Sequence, residues 1–314
     1  MDLSEAPLFT DASPGPADGA AWWMQTQDGV QIRAGAWGRD ATKGTVLLFP
    51  GRTEYIEKYG VTAQELADRG YATVTLDWRG QGLADRSLPD RRVGNVGHFN
   101  EFQQDVASMM RLVQKLDLPK PYYLLGHSMG GCIGLRSLVD GLDVQAAAFT
   151  GPMWGIRIAP HLVIPAWILA HVMPMIGLGG KTPPGTRIDP YVLAEPFEDN
   201  QLTRFREMWD MMRNQLIAHP DLGLGAPSYI WLREALHETG ALARRSSPAQ
   251  PCVTYLGTNE RIVNTQRIHD RMSRWPNGRL EMVSGGEHEV QLEDPDTRKW
   301  LFDDMCAHFE NATG

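Results

Sequence analysis

Apolar and polar residues first alternate along this chain and then bunch into runs. Over Trp22 to Gln27 and Val30 to Trp37 the alternation has period two, on either side of Asp28-Gly29, a dipeptide suited to a two-residue turn. An antiparallel hairpin is predicted there. Six short apolar runs follow: TVLLF (45–49), YATVTL (71–76), YYLLG (122–126), VQAAAFT (144–150), CVTYLG (252–257) and RLEMVS (279–284). Such runs suit strands covered on both faces of a parallel sheet. Stretches with helical spacing separate them: Ile56 to Arg69, Phe99 to Leu116, Met129 to Val139, Thr265 to Trp275 and Pro295 to Phe309. Strand alternating with helix predicts an α/β fold, a mostly parallel, doubly wound sheet with right-handed crossovers and an N-terminal antiparallel hairpin.

One segment breaks the alternation. Residues 153–247 are rich in Pro, Met and Trp and read as helical, with no strand of the earlier type. Inserted between two sheet strands, on the side where their C-terminal ends form a ligand crevice, they would act as a cap. The chain then divides into a flexible lead-in (1–20), a first core part (21–152), the cap (153–247) and a second core part (248–314). Ile158 to Gly180 contains no Asp, Glu, Lys or Arg over a length that could span a bilayer, but Pro160, Pro165 and Pro174 interrupt it. It is read as an apolar cap element able to line an acyl pocket and to touch a membrane surface transiently, and not as a span.

Composition narrows the function. The 314 residues are 42% hydrophobic, enough for a large core, and the formal net charge is −8 with no cluster of Lys or Arg, which excludes nucleic acid as the expected partner. Cys132, Cys252 and Cys306 are far apart and form no CxxC pair, so neither a disulfide framework nor a zinc site is expected, and a reducing, cytoplasmic setting fits. The first residues lack the basic and apolar regions of a signal peptide. Asn311-Ala312-Thr313 matches a glycosylation sequon, read as coincidence. Glu287-His288-Glu289 lacks the spaced second histidine of a zincin helix, and no metal or organic cofactor is implied.

Within LGHSMGGC (125–132), Gly126, Ser128 and Gly130 form Gly-x-Ser-x-Gly. The pattern follows an apolar strand and opens a helix, the setting in which a strained turn exposes a serine hydroxyl as nucleophile. Serine needs a base, and the base an orienting acid, in the chain order Ser, Asp or Glu, His. His288 is the histidine after Ser128 that lies just beyond a predicted strand end; His161 and His171 fall in the insertion, His269 and His308 on helices. Glu260 lies just past CVTYLG, one crossover earlier, and no Asp follows that strand until Asp270 on the next helix. Two N–H donors for an oxyanion are expected from the backbones of Met129 and, in the loop PGRTEY, Arg52, with Gly51 allowing close approach. Asp77 and the RGQG turn after it read as structural.

GHSMGG, PGRTEYIEKY, LDWRGQG, VGHFNEFQQDV, NERIVN and GGEHE, in order from about residue 45 to 290, together resemble the α/β-hydrolase branch of bacterial lysophospholipases and monoacylglycerol lipases. The resemblance implies Ser128 as nucleophile, His288 as base, Glu260 as acid and the Arg52 and Met129 backbones as oxyanion hole. Pro50-Gly51 stands where that branch usually has His-Gly, Glu260 where Asp is commoner, and Leu83 where a small polar residue is common. The expected activity is hydrolysis of a small-molecule acyl ester, a lipid-like monoacyl substrate (lysophospholipid or monoacylglycerol), through an acyl-enzyme. The alternatives are a serine aminopeptidase or amidase, with Glu195, Glu198 and Asp199 as candidate holders of a substrate amine, and a non-catalytic binding protein on the same scaffold. The Arg52 side chain either pairs with a substrate phosphate or forms a structural ion pair.

Overall fold

The computed structural model describes residues 3–312. In chain order the elements are β1 (Ser4–Ala6), β2 (Ala20–Gln25), β3 (Gln31–Trp37), β4 (Thr45–Phe49), α1 (Gly60–Ala67), β5 (Ala72–Asp77), α2 (Phe102–Lys115), β6 (Tyr122–His127), α3 (Met129–Val139) and β7 (Ala146–Thr150). Four helices follow, α4 (Val163–Met175), α5 (Tyr191–Ala194), α6 (Arg206–Ala218) and α7 (Tyr229–Ala243), then β8 (Cys252–Gly257), α8 (Thr265–Met272), β9 (Gly278–Val283) and α9 (Pro295–Asn311). Among the described residues the strands form one sheet in the order β1-β2-β3-β5-β4-β6-β7-β8-β9. The pairings from β1 to β5 through β2 and β3 are antiparallel and all others parallel.

The near-continuous apolar runs have a direct cause. In β4, Leu47 and Phe49 face one core while Val46 and Leu48 face the other; in β7, Ala147 and Phe149 divide from Ala146 and Ala148 in the same way. Successive side chains point to opposite faces of a sheet, so a strand with helices on both sides must be apolar throughout. Helices α2, α3 and α8 cover the first face, joined by Trp231, Ala235 and Leu242 of α7, and α1 and α9 cover the second.

The N-terminal lead-in departs from expectation. Ser4–Ala6 form an edge strand antiparallel to β2, with Ser4 opposite Trp23, and Phe9 stacks on His219 at 3.7 Å between ring centroids. Three residues with no apolar alternation give no local strand signal; pairing with an existing edge creates the strand. Met1 and the sequon's Thr313 lie outside the described residues. The helical stretch from Ile56 divides into a 3-10 turn (Ile56–Tyr59) and α1, where Gly60 packs under Pro14. The described residues contain no helix long and apolar enough to cross a membrane.

Charge is buried where the hairpin meets the first crossover. Arg33 of β3, fully buried, donates Nε to Asp77 Oδ2 and its two Nη atoms to the Glu57 carboxylate, each at 2.8 Å. Asp77 also accepts the N–H groups of Ile56 and Leu83, so it is structural, as its place at a strand end suggests. Arg33→Met leaves two buried carboxylates with no cation between them and should destabilise the fold by about 3–5 kcal/mol in urea unfolding. A loss below about 1 kcal/mol, the size of an exposed ion pair, would show that this cluster does not tie the hairpin to the core.

Candidate active site

Ser128 sits between β6 and α3 with φ 49° and ψ −116°, outside the regions that L-residues favour. Such a conformation costs about 1–3 kcal/mol and persists only where neighbours over-determine it. Three bonds do so: Ser128 N–H donates to Thr150 O at 3.1 Å, and Ser128 O accepts Gly131 N–H at 2.9 Å and Met153 N–H at 2.8 Å. Ser128 and His288 line one cavity of about 520 Å³. They face it without being hydrogen-bonded to each other, an open arrangement common before a substrate closes the contact.

Glu260 follows β8 and turns inward. Its Oε2 lies 2.6 Å from His288 Nδ1, and its Oε1 accepts the N–H groups of Ile262 at 2.6 Å and Val263 at 3.0 Å. Burial alone would raise this carboxyl; the His288 charge and hydrogen bond, with the two N–H donors, outweigh it and hold it below the usual carboxylate value. His288 is pinned through its backbone, since its N–H donates to Gln201 O at 3.2 Å and Glu289 N–H to Leu202 O at 2.7 Å. The segment between α5 and α6 therefore holds the backbone at His288.

The loop after β4 is held from the RGQG turn. Trp78 Nε1 donates to Pro50 O at 2.9 Å and Gln81 Nε2 to Gly51 O at 3.0 Å. Gly51 N–H is taken by the Glu54 carboxylate and Thr53 N–H by Gln81 Oε1, which leaves the Arg52 N–H as the open donor of the three. Met129 is the first residue of α3, so its N–H has no carbonyl partner within the helix. A Cβ at Gly51 would lie 2.9 Å from the Glu54 carboxylate, so the smallness of this residue admits that side chain.

Beneath the loop lies a cluster that the sequence reading missed. Lys58 Nζ bridges Glu54 Oε1 at 2.7 Å and Glu289 Oε1 at 2.5 Å, and Tyr59 OH donates to Glu54 Oε2. His127 Nε2 lies 3.3 Å from Glu289 and 3.5 Å from Glu54 but is aligned with neither, so the contact is charge proximity and not a hydrogen bond. Burial pushes the Lys58 ammonium down, but Glu289 and Glu54 outweigh it and leave it raised; Glu289 is held well below the carboxylate range by Lys58 and His127 in spite of its burial. Ligand atoms of Glu54, His127 and Glu289 converge within 4.8 Å, as a metal site would require. Lys58 already supplies the cation there, so the donor set does not fit a metal. The only local trace in the sequence is Glu54 and Lys58 four apart and Glu289 beside His288, and neither marks these charges as buried together.

The cavity wall also carries Tyr55, Val263 and Trp231. Of the acidic residues considered as amine holders, Glu195 pairs with Arg187 at 2.7 Å, Asp199 with Arg261 at 2.8 Å and Glu198 with Arg206 at 3.7 Å.

A strained serine at a strand-to-helix turn, a histidine and a carboxylate after later strands, on this sheet order, define the α/β-hydrolase class. The model of the serine aminopeptidase, S33, family matches residues 40–295, and the chain belongs to that family. It is 31% identical to lysophospholipase L2 of Escherichia coli (strain K12), over 79% of this chain and 75% of the relative. It is 28% identical to a monoacylglycerol lipase of Mycolicibacterium smegmatis, over 89% and 92% of the two chains. Among solved structures, a soluble variant of monoglyceride lipase from Saccharomyces cerevisiae in complex with a substrate analog superposes with a TM-score of 0.71 at 19% identity, covering 92% of this chain and 94% of that one.

Glu260→Gln can donate to His288 Nδ1 and impose the wrong tautomer, so kcat should fall on the order of 10⁴-fold while KM changes little. A loss under about tenfold would mean that another carboxylate orients the base. Because the Glu260 carboxyl is lowered in the fold, its stabilisation is present above the ordinary carboxylate pKa and lost as pH falls through the lowered value. The stability difference between wild type and Glu260→Gln should therefore shrink below about pH 4 in thermal melts.

Proposed function

We propose that this protein is a serine hydrolase that cleaves the carboxylic ester of monoacyl lipids, lysophospholipid or monoacylglycerol. The observation that carries the reading is the 2.6 Å bond between His288 Nδ1 and Glu260, made on the wall of the cavity that Ser128 faces from its strained turn. Ser128 Oγ attacks the ester carbonyl carbon as His288 Nε2 takes its proton, and the carbonyl oxygen, now an oxyanion, is met by the N–H groups of Arg52 and Met129. Collapse of the tetrahedral intermediate breaks the bond to the alcohol oxygen, which leaves with the proton from His288. Water, deprotonated by His288, then attacks the acyl-enzyme and releases the fatty acid and Ser128. The names of the relatives support a lipid ester, and Glu195, the candidate amine holder that lines the cavity, is already paired with Arg187.

In this reading residues 153–247 form the cap, and α4 is its contact with a lipid surface. Ile164 is 70% exposed and Met175 83%, with Trp167, Ile168 and Val172 beside them, on a segment without a charged side chain. An apolar patch of this kind on a cap is expected to meet aggregated lipid. The three cysteines are buried and unpaired, which fits a reducing cytoplasmic setting.

Ser128→Ala should abolish both lysophospholipid hydrolysis and labelling by a fluorophosphonate probe; retained activity on short p-nitrophenyl esters would sink the mechanism. Trp167→Glu should lower the rate on vesicle-borne substrate by roughly tenfold while sparing a soluble short-chain ester. Equal rates on vesicles before and after substitution would remove α4 from the lipid contact.

A further inference from the structure

Three basic side chains line the cavity beside His288: Arg52, Lys58 and Arg187. Lys58 is held by Glu54 and Glu289, and Arg187 by Glu195. Among the described residues Arg52 has no carboxylate within ion-pair distance, which removes the structural ion pair that the sequence left open. Its Nη2 donates to Gly225 O, its Nε is buried without a partner, and its guanidinium lies over the Trp231 ring, 5.1 Å from the centroid. The residue is thus fixed from two sides, by Gly225 ahead of α7 and by Trp231 within it, with donor capacity unused.

A buried guanidinium that lacks an opposing charge is costly, and an anion that brings one is correspondingly welcome. Burial pushes Arg52 down to about 10, so it remains a cation at neutral pH. Its place sets what kind of anion it can meet. The same residue presents its backbone N–H toward the reacting carbonyl, so the side chain reaches only a few bonds beyond the ester. The acyl chain of a lipid ester is uncharged along its length. A negative group at that short distance belongs to the alcohol side.

We propose that the Arg52 guanidinium binds the phosphodiester of a lysophospholipid head group and makes the protein prefer lysophospholipids to monoacylglycerols, an inference that rests on the ester-hydrolase reading above. Arginine suits the task because its planar fork matches two phosphate oxygens at once. Trp231 and Gly225 O hold the fork in place, so less side-chain freedom is lost on binding.

The test is the ratio of kcat/KM for lysophosphatidylcholine to that for monoacylglycerol of the same acyl chain, measured in identical mixed micelles. Arg52→Gln should lower this ratio by roughly 10–100-fold, the size expected for hydrogen bonds to a charged group. Arg52→Lys, which keeps the charge and loses the fork, should fall between the two. Fluorophosphonate labelling reports whether each variant retains its nucleophile. If Arg52→Gln does not accumulate, Arg52→Lys decides the matter, and a ratio equal to wild type overturns the proposal. Equal losses on both lipids also overturn it, because the side chain would then act only by fixing the oxyanion loop against Gly225. A wild-type protein that labels but cleaves neither lipid would instead remove the ester-lipid reading on which the proposal stands, and the proposal with it.

Discussion

The start of α3 lies against the end of β4 so closely that one added carbon at Gly130 would sit 1.9 Å from Phe49 O and 2.5 Å from Pro50 O. This contact sets the rest of the site. The chain leaves β6 through the strained turn at Ser128, and α3 returns over the end of β4, the strand paired with β6. The same contact brings the start of α3 against the loop that carries Arg52, so the two N–H donors proposed for the oxyanion come from separate elements and need no side chain to aim them. Donors fixed by backbone need no reorganisation as charge develops, which is where such sites gain most.

Charge buried beneath the same loop keeps it from collapsing into the core. Glu54 is satisfied by Gly51 N–H, Tyr59 OH and Lys58, and Lys58 in turn reaches Glu289, 231 positions along the chain and adjacent to His288. The loop after β4 and the loop carrying His288 are joined by one ammonium ion. His127, in the variable position of the Gly-x-Ser-x-Gly turn, adds a third element, its Nδ1 against Thr150 at 2.9–3.0 Å and its ring 4.9 Å from that of His288. Burial, as the largest single influence, would lower the His127 imidazole; the Glu289 and Glu54 charges outweigh it and raise it.

These features differ in how visible they are in sequence. TVLLF, CVTYLG and Met129 to Val139 coincide with β4, β8 and α3, because a strand or helix enclosed by the core carries its environment in its own composition. The partnership of Glu260 with His288 was readable from chain order, since the sheet topology leaves few strand ends from which an acid can reach the base. The Lys58 bridge was not. Each of its charges looks like an ordinary surface residue within its own segment, and only the fold brings them together and removes the water. Edge strand β1 was hidden for the same reason, as its three residues become a strand by pairing with β2 and not by their own pattern.

The choice of glutamate at position 260 shows how far the helical insertion enters the site. A longer acid needs both room and an anchor. Room comes from Gly151, where φ is +47° and a Cβ would lie 3.0 Å from His288 Nδ1 and 3.2 Å from Glu260 Oε2. The anchor is the turn at Ile262 and Val263, whose N–H groups hold Oε1 while Val263 forms an antiparallel bridge with Ile156 and Asn264 N–H donates to Gly155 O at 2.9 Å. Gly155 and Ile156 lie between β7 and α4, and Gln201 and Leu202, farther along between α5 and α6, hold the backbone at His288 and Glu289. The proposed acid and base are thus each tied to residues 153–247, several of which line the cavity. Any displacement of that segment would strain or release these ties, so the Glu260–His288 pair and the position of the insertion are linked through hydrogen bonds.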